Sequence, residues 1–250
     1  MAESVWYEEL TPRALQARVK EAPIAYLPLG TLEWHGPHLP LGADGIQSRH
    51  FFERLAKDVG GVVLPMLFLG PDRHVARDGQ EYYGMDMGTP DLPSGRPYAT
   101  GQLPGSAYWV PNDFFGALIE AVLKQLKRAG FRIVVAHGHG PSTVFFRDHI
   151  DEYRQKFGLE CFHCWGEQDG DDLGIQVDHA GANETSLVMA LRPNLVRMEN
   201  LPKNLNEWPH AVLGRDPRSR ASVDLGRKAI ELQAKRMAGI LRGALKKVGA

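Results

Sequence analysis

Cysteine is scarce in this sequence: Cys161 and Cys164 are the only two in 250 residues. They form a lone C-x-x-C with no second pair, and His163 alone does not complete a zinc knuckle. Reduced, partly buried thiols of a cytoplasmic protein are expected. Net charge is also missing. Lys+Arg 29 against Asp+Glu 30 leaves −1, which offers no field for steering onto nucleic acid or an anionic membrane. No apolar run approaches the ~18 residues of a transmembrane span. Residues Met1 to Leu10 lack the basic start and apolar core of a secretion signal. There is no internal repeat and no low-complexity linker, so one domain over residues 1–250 is expected, with no nucleic-acid and no membrane partner.

What the chain does have is histidine in polar loops. His35 and His38 lie in one loop and His137 and His139 in another. The first loop follows an apolar run, Ile24 to Leu29, that reads as a buried strand and breaks at Gly30. Glu33 and His35 are two apart, so an extended segment points both to one side. Asp44 follows past the turn residues Gly36, Pro37, Pro40 and Gly42. Oxygen and imidazole donors at the mouth of a strand suit a divalent cation such as Zn, Mn or Fe. Spacing alone leaves a polar loop with an incidental histidine equally open.

Along the chain, Thr11 and Pro12 open a short helix. Residues about 45–59 read as a helix ended by Gly60 and Gly61, and Val62–Leu67 as a strand ending near Pro65. Residues 70–111 hold Gly, Pro, Asp and aromatics without periodicity. A loop this long suggests a substrate cover or a subunit contact, with room for a short strand. Asn112 or Asp113 caps the next helix, whose apolar face runs from Phe115 to Leu126. Phe131–Ala136 is a buried strand that runs into His137-Gly-His139. Residues 143–157 read as a helix, Leu159–Trp165 as a strand, Gly166–Asp172 as a solvated acidic turn, and about 222–247 as an amphipathic helix.

Helix, stop, strand and polar loop in that order is the pattern of a parallel α/β sheet, which binds ligands at the carboxyl ends of its strands. The His139 loop therefore shares an edge with the Glu33–Asp44 loop. Glu184 lies at the start of a helix five residues after His179, either complementing the helix dipole or aimed into the cleft.

These residues carry a resemblance. The stretch Leu27-Pro-Leu-Gly-Thr-Leu-Glu-Trp-His-Gly-Pro-His-Leu-Pro-Leu-Gly-Ala-Asp44 resembles the signature of the creatininase (creatinine amidohydrolase) family. Gly138-His139-Gly140 resembles that family's Asn-Gly-His-Gly-Gly-Asn loop. His179-Ala-Gly-Ala-Asn-Glu-Thr-Ser186 resembles its His-Ala-Gly-Glu-x-Glu-Thr-Ser segment, and Gly214 to Gly226 its Gly-Asp-Pro…Ala-Ser…Gly stretch. The resemblance implies a three-layer α/β/α fold with a mostly parallel central sheet, a site for two divalent ions (Zn, Mn or Fe), and a homo-oligomer, often a hexamer. Glu33, His35, Asp44 and His139 fall on the family's ligand positions, with Asp44 bridging. The family's Glu two residues after the second-loop His is Pro141 here, which makes Glu184 the candidate for the missing carboxylate.

The implied chemistry is hydrolysis of a small polar molecule. Water between two cations is acidified to hydroxide near neutral pH and attacks a polarised carbonyl. His179 is the candidate general acid/base, with Asp178 to orient it or raise its pKa, unless His179 only positions its loop. His137 is a candidate for substrate contact or for support of the metal ligands, and Trp34 and Trp165 are candidates for substrate contact. The favoured reaction is C–N cleavage of a cyclic or linear amide. The alternatives are C–C cleavage of a cyclic diketone such as an oxidised inositol, and a non-catalytic metal-binding protein.

Overall fold

The structure is a computed structural model that describes residues 4–88 and 96–249. Its centre is a parallel sheet in the order β2-β1-β5-β6, formed by β1 (Ile24–Leu29), β2 (Val62–Val63), β5 (Ile133–Gly138) and β6 (Glu160–Phe162). All six residues of β1 and of β5 are buried. This is the continuous apolar run of strands covered on both faces. Alternate β1 residues serve opposite faces. Ile24 and Tyr26 pack with helices α2 (Ala43–Val59), α6 (Ala182–Leu191) and α8 (Val223–Val248). Ala25, Leu27 and Leu29 pack with α3 (Asn112–Arg128), α4 (Gly140–Asp148) and α5 (Ile150–Phe157), and α1 (Pro12–Glu21) adds Leu15 and Val19. The expected three-layer α/β/α fold is what the chain forms.

The strand order reverses between β1 and β5, which run parallel. From β1 the chain crosses through α2 to β2 on one side; from β5 it crosses through α4 and α5 to β6 on the other. The loops leaving β1 and β5 therefore part at the carboxyl edge and leave a crevice there. The strands are in close contact at that point. Gly138 has φ +150°, and a Cβ on it would lie 1.8 Å from Leu29 O.

Several boundaries differ from the sequence reading, each for a local reason. The strand expected to reach Pro65 is only two residues long, because Pro65 has no N–H to give the ladder. Isolated bonds continue past it, Leu64 N to Tyr26 O at 2.8 Å and Leu67 N to Pro28 O at 3.0 Å. The helix expected over 143–157 is two helices parted at His149, and the first begins at Gly140 because Pro141 suits an opening turn. Helix α2 begins at Ala43, which puts Asp44 in its first turn. Helix α3 takes Pro111 as N-cap, with no side-chain cap from Asn112 or Asp113. β6 is shorter than expected at three residues. Within 70–111 the chain forms an antiparallel hairpin, β3 (His74–Arg77) and β4 (Gln80–Tyr83), turned at Asp78-Gly79 with φ 52° and 75°. Part of that stretch, 89–95, lies outside the described residues, as do 1–3 of the N-terminal segment. The last helix is capped by Ser222, whose side chain accepts from Leu225 N at 3.1 Å. Among the described residues, no helix is long and apolar enough to cross a membrane.

The Gly138 contact makes a direct test. Gly138→Ala should cost on the order of 3 kcal/mol of stability, since backbone rather than a flexible side chain must move. Chemical denaturation reads this, and an unshifted midpoint would mean that β1 and β5 do not approach so closely.

Candidate metal centre

Four segments converge at the crevice. The loop after β1 brings Glu33 and His35. It is held in shape by Glu33 N to Leu41 O at 3.0 Å, Gly36 N to Ala211 O at 2.9 Å, and His38 Nε2 against Thr185 Oγ1 at 2.8 Å. The first turn of α2 brings Asp44, where the helix dipole favours a negative charge. The end of β5 brings His139, and the first turn of α6 brings Glu184. All five side chains are buried, at 0–5% exposure.

They fall into two groups that share Asp44. Glu33, Asp44 and His139 can place one donor atom each within 4.8 Å of one another, and so can His35, Asp44 and Glu184. Ligand atoms about 2.1 Å from one cation stand roughly 3.4 Å apart at the corners of a tetrahedron. His35 Nε2 is 3.2 Å from Asp44 Oδ1 and 3.7 Å from Glu184 Oε2, and His139 Nε2 is 3.4 Å from Glu33 Oε1. Both imidazoles are oriented through the other nitrogen: His35 Nδ1 bonds Glu33 O at 3.2 Å and His139 Nδ1 bonds Ser142 Oγ at 2.9 Å. His35 Nε2 and Asp44 Oδ2 are buried without a hydrogen-bond partner. Orphaned donor atoms facing one another suit a cation, and the residues present fit a pair of divalent ions.

The electrostatics agree. Among the described residues, every ion pair of Glu33, Asp44 and Glu184 goes to a histidine. Burial raises Glu33 and Glu184 above the usual carboxylate range. Burial would lower His35, but Asp44 outweighs it and raises the imidazole to about 10. For His139, burial is likewise outweighed, mainly by a nearby Asp72, and the imidazole rises to about 9. Asp44 is held below its ordinary value because His35 overcomes burial.

His179 stacks on His35 with centroids 4.3 Å apart. Its Nε2 bonds Trp34 O at 2.7 Å, which leaves Nδ1 facing the cluster, 4.0 Å from Glu33 Oε1. Burial, reinforced by His35, lowers it to about 3, so it is neutral. Glu33, His35 and His179 form a third group of possible ligands. A cleft of about 400 Å³ opens beside it, lined by Gly140, Trp165, Gln176, Val177, Asp178 and His179 among others.

Three expectations need correction. Asp178 does not orient the His179 ring. Its carboxylate accepts from Asn183 N at 2.9 Å and Glu184 N at 3.1 Å, capping α6 and so fixing Glu184. His137 is fully buried, with Nε2 on Ile175 O at 3.0 Å and Nδ1 accepting from Cys164 N at 3.4 Å. Both nitrogens are committed to backbone, so it braces the 164–175 segment and has no face for substrate. Trp34 donates its indole N–H to Pro104 O at 2.8 Å, accepts from His179 at its carbonyl, and does not line the cleft. Trp165 does line the cleft. Sequence reasoning missed Ser142, Gln176 and Asp72. Gln176 Nε2 donates to Asp44 Oδ1 at 3.2 Å, and Asp72 Oδ2 lies 3.5 Å from His139 Nε2. Ser142 was findable, three residues from His139 in a helix start; Asp72 lies in the aperiodic stretch and gave no pattern.

Known proteins resemble the chain as follows. The model of the Creatininase (creatinine amidohydrolase) family matches residues 8–241. A creatinine amidohydrolase of Pseudomonas putida is 27% identical over 221 residues, covering 80% of this chain and 77% of that protein. The structure named "Creatininase Mn" superposes with TM-score 0.74 at 21% identity, covering 97% of this chain and 99% of that one. A point variant of creatininase of the Zn-Zn type gives TM-score 0.73 at 21% identity over the same shares. At these identities the two structures establish the fold.

Protons should stand in for cations when the site is stripped. Glu33, His35 and His139 are raised, whereas the unfolded chain releases the same protons near 4.5 and 6.5. The folded metal-free state thus binds more protons between pH 7 and 9 and loses stability as pH rises through that window. The loaded protein, with cations in place of those protons, should not. Melting temperatures at pH 7 and 9, with and without chelator, measure this; parallel curves would contradict it.

Proposed function

This chain belongs to the creatininase family, and on that premise we propose that it is a hydrolase with two divalent ions that cleaves a C–N bond in a small polar amide. The observation that carries the reading is the pair of ligand groups sharing Asp44. One ion is assigned to Glu33, Asp44 and His139, the other to His35, Asp44 and Glu184. Glu184 takes the place of the family carboxylate because Pro141 has no donor and is exposed. When bound, the ions supply Lewis-acid polarisation of a carbonyl and acidify water.

The chain's own groups do the rest. The Glu33 carbonyl holds His35 in the tautomer that presents Nε2, and Ser142 Oγ orients the ring of His139. Gln176 steadies Asp44. His179, with Nε2–H donated to Trp34 O, has a free lone pair on Nδ1. It accepts a proton there and returns it to the leaving nitrogen. Trp165 and the 400 Å³ cleft beside His179 offer the substrate an aromatic wall and an open approach. The whole chain acts as one domain, a reading supported by the single four-stranded sheet spanning β1 to β6. Exposed Leu41, Val75 and Tyr108 support a homo-oligomer.

Elemental analysis of protein purified without chelator should find about two divalent ions per chain. Asp44→Ala should lose both, and Glu184→Gln one with the fold retained; full retention in Glu184→Gln would remove it from the ligand set. His179→Ala should keep both ions and lower kcat by about 10²–10⁴-fold. Loss of an ion instead would make His179 a ligand. A substrate panel of amides and cyclic diketones decides the bond: turnover of diketones alone would replace C–N by C–C cleavage.

A further inference from the structure

Asp72 lies outside the ligand groups described above, yet its carboxylate closes an open side of His139. Its Oδ2 is 3.5 Å from His139 Nε2, against 3.4 Å for Glu33 Oε1. Neither separation is a good hydrogen bond to a ring N–H, and a single N–H does not serve two carboxylates. Both match the roughly 3.4 Å edge expected between donors around one cation. Asp44 Oδ2, in the same group, is buried without a partner.

The backbone is shaped to bring Asp72 there. Gly70 runs so close to the His139 loop that a Cβ on it would lie 2.4 Å from Ser142 Oγ. Asp72 Oδ1 accepts from Arg73 N at 2.7 Å, and its carbonyl accepts from Trp109 Nε1 at 3.1 Å. Across from the carboxylate stands Gly84, at φ +47°. A Cβ there would be 2.2 Å from Asp72 Oδ2 and 3.1 Å from Glu33 Oε2. Only glycine leaves room for both carboxylates. A second cavity, of about 200 Å³, reaches Glu33 and Asp72 from this side, walled by Tyr83, Tyr108 and Trp109.

We propose that Asp72 is a fourth protein ligand to the cation assigned to Glu33, Asp44 and His139, which makes the segment carrying hairpin β3–β4 part of the metal centre. The proposal rests on the metal reading above. It makes the two positions unequal. One has three carboxylates and an imidazole; the other, with His35, Asp44 and Glu184, has two carboxylates and an imidazole. The four-ligand ion is held longer when a chelator competes.

The test uses the full chain loaded with Mn²⁺ alone, titrated with a chromophoric chelator, with metal content read by mass spectrometry and fold by circular dichroism. Wild type should release its two ions in separate steps. In Asp72→Asn the affinity for one ion should fall at least about tenfold, no less than the loss of an outer partner costs. Glu184→Gln should weaken the other. Asp72→Ser, which removes the charge with a smaller group, repeats the measurement. Two ions held by both Asp72 variants at wild-type affinity would overturn the assignment while leaving the two-metal reading intact. So would simultaneous release of both ions from wild type, which needs no variant. A wild type that takes up no ion would instead fail the two-metal reading itself, and Asp72 with it.

Discussion

The constraint on which the rest of the structure depends is a charge that the fold buries without a permanent counter-charge. Glu33, Asp44 and Glu184 are 2–5% exposed, and Asp72 stands beside them with a side chain 13% exposed. Taking a carboxylate out of water costs several kcal/mol unless it is paired. No lysine or arginine supplies the pairing among the described residues; the partners are His35, His139 and His179. Such a cluster holds together with protons or with metal cations, and Asp44 Oδ2 and His35 Nε2, buried without a hydrogen-bond partner, are donor atoms of the kind that a divalent cation takes.

The layered core pays for this arrangement. Two apolar clusters grip both faces of β1 and β5, so the strands that aim the loops cannot shift. Reversal of the strand order between them opens a crevice at the one edge where backbone ends are free. Helix starts then supply direction. Asp44 and Glu184 sit in first turns, where side-chain orientation follows from the helix axis and the dipole favours their charge. Asp178 caps the second of these helices, so a residue expected to tune the proton carrier instead fixes a proposed ligand. The site is thus as rigid as the layers beneath it.

Much of this was legible beforehand. The uninterrupted apolar runs of β1 and β5 announce strands buried on both sides, and the Gly-Pro loops after them announce the edge that carries chemistry. The long motif from Leu27 to Asp44 named the family before any fold was known. What was not legible depends on distance in space. The motif marks His139 as the candidate ligand and leaves the role of His137 open; that His137 braces the 164–175 segment is decided by Ile175 O and Cys164 N, and that His139 meets Glu33 by the turn that follows β5. The break at His149 is a local effect too weak to read against helix periodicity, whereas Pro65 marked the end of β2 to within two residues.

The sequence by itself determined the class of fold, the edge of the sheet that matters and the donor types gathered there, because hydrophobic periodicity and a contiguous motif are local properties. Tertiary structure alone decided how close these donors stand: Asp44 falls in two of the groups, and Glu184 joins His35 in one of them. It also decided that Asp72 and Gln176, from stretches without pattern, reach the same crevice. The physical reason is that these residues lie 28 to 140 positions from Asp44 along the chain. Only the packing of α2, α6 and the 70–84 segment around β1 and β5 brings their oxygens within a few ångströms.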